Sequence, residues 1–257
     1  MEVILKIFAF LTGAVWGSFL NVIIYRVPEG LSIIKPRSFC PKCKNPIKWY
    51  DNIPLLSYLL LRGRCRYCGN RIPFRYFAVE FITAISFLIA LNRFSHDFLE
   101  LFRAFVFLSL LIVLAGIDYE RFLLPDVFTI PGTAAGLALS LFLPPGFKAS
   151  LLGAVLGYLS LWIIYKAFLL LTGKEGLGFG DFKMFAMIGA FLGAGKLLIV
   201  ALLASLFGLA VAMGLILARK LDFKSMIPFG IFLSAASWVV YLFRFDMIEL
   251  YKRLSLL

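Results

Sequence analysis

The chain has 257 residues, of which 62% are apolar and only 16% charged, and its mean hydropathy is +0.95. An ordinary soluble domain is about 45–50% apolar and about 25% charged, so a soluble globular enzyme is excluded, and so is a disordered chain, which needs low hydrophobicity. The formal net charge is nevertheless +12, so where the charge sits becomes the next question.

A hydrocarbon core roughly 30 Å thick needs about 20 apolar residues per helix. The sequence supplies eight such segments, near 3–24, 76–92, 101–117, 127–143, 149–171, 182–194, 197–218 and 228–243. The expected fold is an all-α polytopic membrane protein with about eight transmembrane helices. The first segment lacks a basic start and carries Gly17, Ser18 and Asn21 near its end, so it reads as a span and not as a cleaved signal. The sixth is short and Gly-rich, and reads as tilted or re-entrant.

Lysine and arginine set orientation. Seventeen of the 26 basic residues fall on one side: eleven in the 26–75 loop, with Arg121, Lys174, Lys183, Arg219, Lys220 and Lys224. Eight fall on the other (Lys6, Arg93, Arg103, Lys148, Lys196, Arg244, Lys252 and Arg253), while Lys166 lies within a span. The richer side is expected to be cytoplasmic, with both termini outside. Loops 25–75, 118–126, 172–181 and 219–227 then face inward. The 26–75 loop sets its eleven basic residues against only Glu29 and Asp51, a net +9. Topology alone accounts for such a bias, and attraction to anionic headgroups adds to it. Nucleic acid is not the expected partner, because dense basic–aromatic alternation is lacking.

The same loop holds all four cysteines, as Cys40-Pro41-Lys42-Cys43 and Cys65-Arg66-Tyr67-Cys68, separated by 21 residues. Two such knuckles can present four thiolates tetrahedrally to one Zn²⁺. Lys42, Lys44, Arg64 and Arg66 favour the thiolate form. A cytoplasmic position disfavours disulfides, and no thioredoxin-like pattern supports a redox pair. A structural zinc module is therefore expected, folded largely by its metal.

Few acids lie near the spans. Glu80 sits near the start of the second, Asp118 closes the third, Asp126 opens the fourth, and Asp181 opens the sixth after Gly176, Gly178 and Gly180. By the charge bias all four fall toward the cytoplasmic face. An ionisable group at membrane depth is costly and usually functional. Helix capping is an alternative account of Asp126 and Asp181, but not of Asp118, which stands at a helix end where negative charge is disfavoured. A phosphate loop is not supported, since the glycines are followed by no G-K-[ST]. Two aspartates meeting across a bundle can share a proton and activate water. Other hydrolytic routes lack parts: there is no HExxH, and the single histidine, His96, falls on the outer side in an exposed loop.

The ordered residues also resemble a known family. Gly17-Ser18-Phe19-Leu20-Asn21-Val22, Arg26-Val27-Pro28, both CxxC pairs, and Asp51-Asn52-Ile53-Pro54-Leu55-Leu56-Ser57-Tyr58 between them begin the series. Arg75-Tyr76 with Glu80, Ile117-Asp118, Leu124-Pro125-Asp126, Gly178-Phe179-Gly180-Asp181-Phe182-Lys183 and Pro228-Phe229-Gly230 complete it. Nearly end to end, the chain resembles the prepilin peptidases, or type IV leader peptidases, which are GxGD aspartyl proteases. Phe77 and Ile231 stand where that family commonly has proline.

The resemblance implies Asp118 and Asp181 as the catalytic pair, with Asp126, Gly178, Gly180, Lys183 and Glu80 in support. It implies removal of leaders from type IV prepilins or type II secretion pseudopilins, after a glycine at the cytoplasmic face of the bacterial inner membrane. Methylation of the new N-terminus with S-adenosylmethionine is implied as well. The expected domains are a first transmembrane helix (1–25), a four-cysteine module (26–75) with Cys40, Cys43, Cys65 and Cys68 as zinc ligands, and a transmembrane protease domain (76–257). A secondary transporter and a non-catalytic assembly factor are the alternatives. The first is disfavoured by the lack of repeated halves, the second by retention of both aspartates.

Overall fold

The protein is described by a computed structural model covering residues 2–174, 176, 178–218 and 227–243. The predicted inward loop 219–227 lies, up to residue 226, outside the described residues. So do the basic residues Arg219, Lys220, Lys224, Arg244, Lys252 and Arg253.

The described residues are helical and contain no strand beyond two isolated bridges in the cysteine loop. In chain order the helices are α1 (Glu2–Arg26), α2 (Leu56–Leu60), α3 (Phe74–Phe94), α4 (Phe98–Arg121), α5 (Asp126–Leu139), α6 (Phe147–Thr172), α7 (Phe179–Leu192), α8 (Ala194–Leu217) and α9 (Phe229–Leu242). A 3₁₀ turn, Trp49–Asn52, precedes α2. Except for α2, each occupies one of the eight predicted segments. Five of them, α1, α3, α4, α6 and α8, are long and apolar enough to cross a membrane. Helices α5, α7 and α9 have 14 residues each, about 21 Å of rise, short of the hydrocarbon thickness.

Two compact units divide within α4, Met1–Gly116 and Ile117–Leu257. In the first, α1 packs along α3, and the amide of Asn21 donates to the Tyr76 carbonyl at 2.9 Å. Helix α4 joins them through a hydrogen bond from Trp16 Nε1 to Ser109 Oγ (2.9 Å) and the stacked rings of Phe87 and Phe105.

The second unit is organised around α7. Ten of its residues, from Asp181 to Leu192, are buried, as expected of a helix that is apolar nearly all round. It packs against α5, α6, α8 and α9. The closest approach is with α6, where Gly153 faces the backbone of Gly189. A side chain at either position would meet a carbonyl and not a movable neighbour. Such small-residue crossings let membrane helices pack by van der Waals contact where no hydrophobic force drives them together. Helix α6, by contrast, exposes Leu151, Leu152, Val155, Ile163 and Ile164, the pattern of a lipid-facing helix.

Candidate active site and metal centre

Asp118 lies in the last turn of α4, which runs one turn past the predicted span end to Arg121. The extension is formed by exposed Tyr119, Glu120 and Arg121, polar residues that a hydropathy window cuts off. Phe122, at φ +53°, then turns the chain, and its amide bonds the Asp118 carbonyl at 2.9 Å. An acid here opposes the dipole of its own helix. The structure resolves that problem with another helix: the carboxyl of Asp118 meets the backbone amides of Gly230 and Ile231 at the start of α9. Those amides belong to the first turn of a helix, which has no partners for them of its own. Asp118 is only 5% exposed, and its Oδ2 has no hydrogen-bond partner among the described residues.

Asp181 occupies the first turn of α7 and is also buried. Its Oδ2 accepts the Gly178 amide at 3.1 Å, so the capping account of this residue holds for one oxygen. Asp118 and Asp181 lie close enough for their charges to interact. Two carboxyls from different helices are thus gathered where the starts of α7 and α9 converge.

Leu124 explains two of the nearby glycines. A Cβ on Gly180 would stand 2.7 Å from Leu124 Cβ, and one on Gly230 would stand 3.1 Å from Leu124 Cδ2 and 2.8 Å from Asp118 Oδ2. The loop leaving α4 is therefore pressed against α7 and α9, and a side chain at either glycine would wedge them apart. Gly230 stands in the Pro228-Phe229-Gly230 series but not among the site residues expected from sequence; its signal is that helix start, whose first-turn amides have no partner within the helix. Asp126 begins α5 without capping it. Both of its oxygens bond Lys183 Nζ at 2.7 Å, joining the start of α5 to α7. Both side chains are at least a third exposed, so the pair contributes at most about 1 kcal/mol.

Glu80 belongs to the first unit. Buried on α3, it accepts the Leu55 amide at 2.7 Å and a hydrogen bond from Ser18. It fastens the segment leading into α2 to the membrane helices of its unit.

The four cysteines form one cluster, all four Sγ atoms lying within 4.8 Å of one another and Cys40 and Cys68 Sγ 3.9 Å apart. Tetrahedral zinc with Zn–S bonds of about 2.3 Å spaces its sulfurs by about 3.8 Å, so the donor set fits such an ion. The two knuckles have the same build. Lys44 and Gly69, each at positive φ, return their amides to the carbonyls of Cys40 and Cys65 (2.8 and 2.9 Å). Cys40 and Cys65 in turn donate to the carbonyls of Asn45 and Asn70.

Burial pushes the Cys40 thiol up, but hydrogen bonds from the Cys43 and Lys42 amides and the neighbouring sulfurs of Cys43 and Cys65 bring it down to about 7. At Cys68 the Asn70 amide lowers the thiol, whereas burial and the sulfurs of Cys43, Cys65 and Cys40 raise it to about 11. Four sulfurs this close need a cation before all can be thiolates. Arg66 meanwhile forms a bidentate bond with Asp51 (2.6–3.0 Å), which holds the Asp51 carboxyl below the usual range and ties the second knuckle to the turn before α2.

Fold and site together define a polytopic helical membrane protein with a paired-aspartate centre in one unit and a four-cysteine centre in the other. Residues 11–94 match the Bacterial Peptidase A24 N-terminal domain, and residues 105–213 match the Type IV leader peptidase family. A prepilin leader peptidase/N-methyltransferase of Aeromonas salmonicida is 40% identical, over 91% of this chain and 89% of the relative. The proteins of that name from Klebsiella pneumoniae (45%, over 77% and 90%) and Neisseria gonorrhoeae (36%, over 89% and 87%) are similar as well. No solved structure matches. The chain belongs to the type IV leader peptidase family and is an integral inner-membrane peptidase.

Proposed function

We propose that this enzyme cuts the leader from type IV prepilins, or from pseudopilins, by an aspartyl mechanism in which Asp118 and Asp181 hold one proton between them. The observation that carries this reading is two buried carboxyls on separate helices, near the starts of α7 and α9, within range of each other's charge. In such a pair the ionised member takes a proton from water, while the protonated member hydrogen-bonds the scissile carbonyl. The proton can then pass to the leaving amine, with no covalent intermediate. Cleavage follows a glycine at the cytoplasmic face, with both termini of the enzyme on the opposite side, as the excess of basic residues in the inward loops supports.

The cysteine cluster is read as a structural Zn²⁺ site held by Cys40, Cys43, Cys65 and Cys68. The metal stabilises the 26–75 module and takes no part in hydrolysis. Methylation of the new N-terminus, supported by the names of the related enzymes, would use the sulfonium methyl of S-adenosylmethionine. The open groove between α8 and α9, about 320 Å³, is lined among the described residues by apolar side chains and Ser205, which offer no charged partner to a sulfonium amino acid.

The test is incubation of purified protein with a prepilin, followed by N-terminal mass analysis. Wild type yields a shortened chain carrying an added methyl. Asp118→Asn and Asp181→Asn, inserted and zinc-loaded like wild type, leave the leader in place. Appreciable cleavage by either variant removes it from the catalytic pair.

A further inference from the structure

Helix α2 is built inside out. Its one buried residue is Ser57, whose hydroxyl accepts the Ile53 amide and donates to the Tyr50 carbonyl, both at 3.0 Å. Its leucines point outward, with Leu59 61% and Leu60 72% exposed, alongside exposed Leu56. The 3₁₀ turn that packs beside α2 presents Trp49, 79% exposed. A small module in water would bury these side chains. A hydroxyl inside and leucines with a tryptophan outside is the polarity of an element lying in a bilayer interface.

Two further observations bear on what covers this face. Residues 26–75 carry a net +9, and Lys48, Arg62 and Arg64, which flank the patch in sequence, are all exposed. The chain also enters the module from α1 and leaves it into α3, both long and apolar enough to span, so the module is tethered to the bilayer at both ends. A separate protein partner need not be invoked for a surface held so close to lipid.

We propose that the four-cysteine module docks on the anionic leaflet beside it. Trp49, Leu59 and Leu60 enter the boundary between headgroups and acyl chains, while Lys48, Arg62 and Arg64 contact lipid phosphates. Each basic residue near such a surface strengthens the association by about fivefold. The docking is independent of the aspartate chemistry and holds whether or not a prepilin is cut.

The experiment uses full-length, zinc-loaded protein in which Trp16, Trp162 and Trp238 are changed to Phe, leaving Trp49 as the sole indole. It is placed in nanodiscs of phosphatidylcholine, with or without phosphatidylglycerol. Lipids brominated near the carbonyl end of the acyl chain are expected to quench Trp49 fluorescence in the anionic discs, and acrylamide is not. Leu59→Ser with Leu60→Ser should reverse that preference while the metal content stays the same. Arg62→Gln and Arg64→Gln should each move the docked-to-undocked ratio about fivefold toward undocked. Trp49 open to acrylamide in both discs would overturn the proposal. So would Trp49 shielded from both quenchers, which would place it against protein, or bromolipid quenching that is the same with and without phosphatidylglycerol.

Discussion

Gly230→Ala is a small perturbation aimed directly at the aspartate pair. The added methyl would stand 2.8 Å from Asp118 Oδ2, whereas ordinary contact begins at 3.4 Å. The carboxyl must therefore retreat by about 0.6 Å, or α9 must move outward by as much. With Asp118 in the catalytic pair as proposed, misplacing a reacting group by about 1 Å costs on the order of 100-fold in rate, so a kcat loss of roughly tenfold is expected, near 1.4 kcal/mol in the barrier. Stability should change far less. Alanine is favoured over glycine in a helix by about 1 kcal/mol, which offsets part of the crowding, and the melting temperature should stay within about 4 °C. The amides that face Asp118 are retained. The assay is steady-state cleavage of a prepilin in detergent with kcat and KM resolved, beside Gly214→Ala, where a methyl meets nothing within 4 Å. Wild-type kcat in Gly230→Ala, or an equal loss in Gly214→Ala, would refute the reasoning.

Cys43→Ser should remove bound zinc, read as metal per chain by elemental analysis, and open residues 26–75 to protease; zinc retained at the wild-type level would contradict the four-sulfur assignment. Gly189→Ala meets the Gly153 backbone and should lower stability by about 1–3 kcal/mol, seen as a drop of several degrees in thermal unfolding, while Gly195→Ala, with open space around it, stays near wild type. A double-mutant cycle on Lys183→Met and Asp126→Asn should give a coupling below about 1 kcal/mol that fades with salt; a larger, salt-insensitive value would mean the pair is desolvated in the working enzyme.

Most helices were legible because hydropathy reports burial in lipid directly, and both CxxC knuckles because metal geometry fixes their spacing. Helix ends were less legible. The segment predicted over 127–143 ends as α5 at Leu139, since apolar Leu141, Phe142 and Leu143 belong to the turn before α6 and look to a hydropathy window like more helix. The span predicted to stop at 117 continues through Asp118 for the opposite reason: its last turn is polar. Sequence showed that Asp118 needed an explanation but not its form, because the compensating amides come from Gly230 and Ile231, more than a hundred residues away. The apolar outer face of α2 was hidden as well. Five residues are too few for periodicity, and only the inward hydroxyl of Ser57 shows which side is out.

The three 14-residue helices all begin around the aspartates and carry Asp126, Asp181 and Gly230 in their first turns. Each falls about 9 Å short of an average hydrocarbon core. A bilayer meets such hydrophobic mismatch by thinning locally, at a fraction of a kcal/mol per Å. If these helices cross the bilayer and the carboxyls carry out the hydrolysis proposed above, thinning at the short bundle would bring water to them without a dedicated channel. Acyl-chain length would then be a control variable for the proposed reaction: thinner membranes would relieve the mismatch, and thicker ones would have to be deformed before water and a peptide bond could meet.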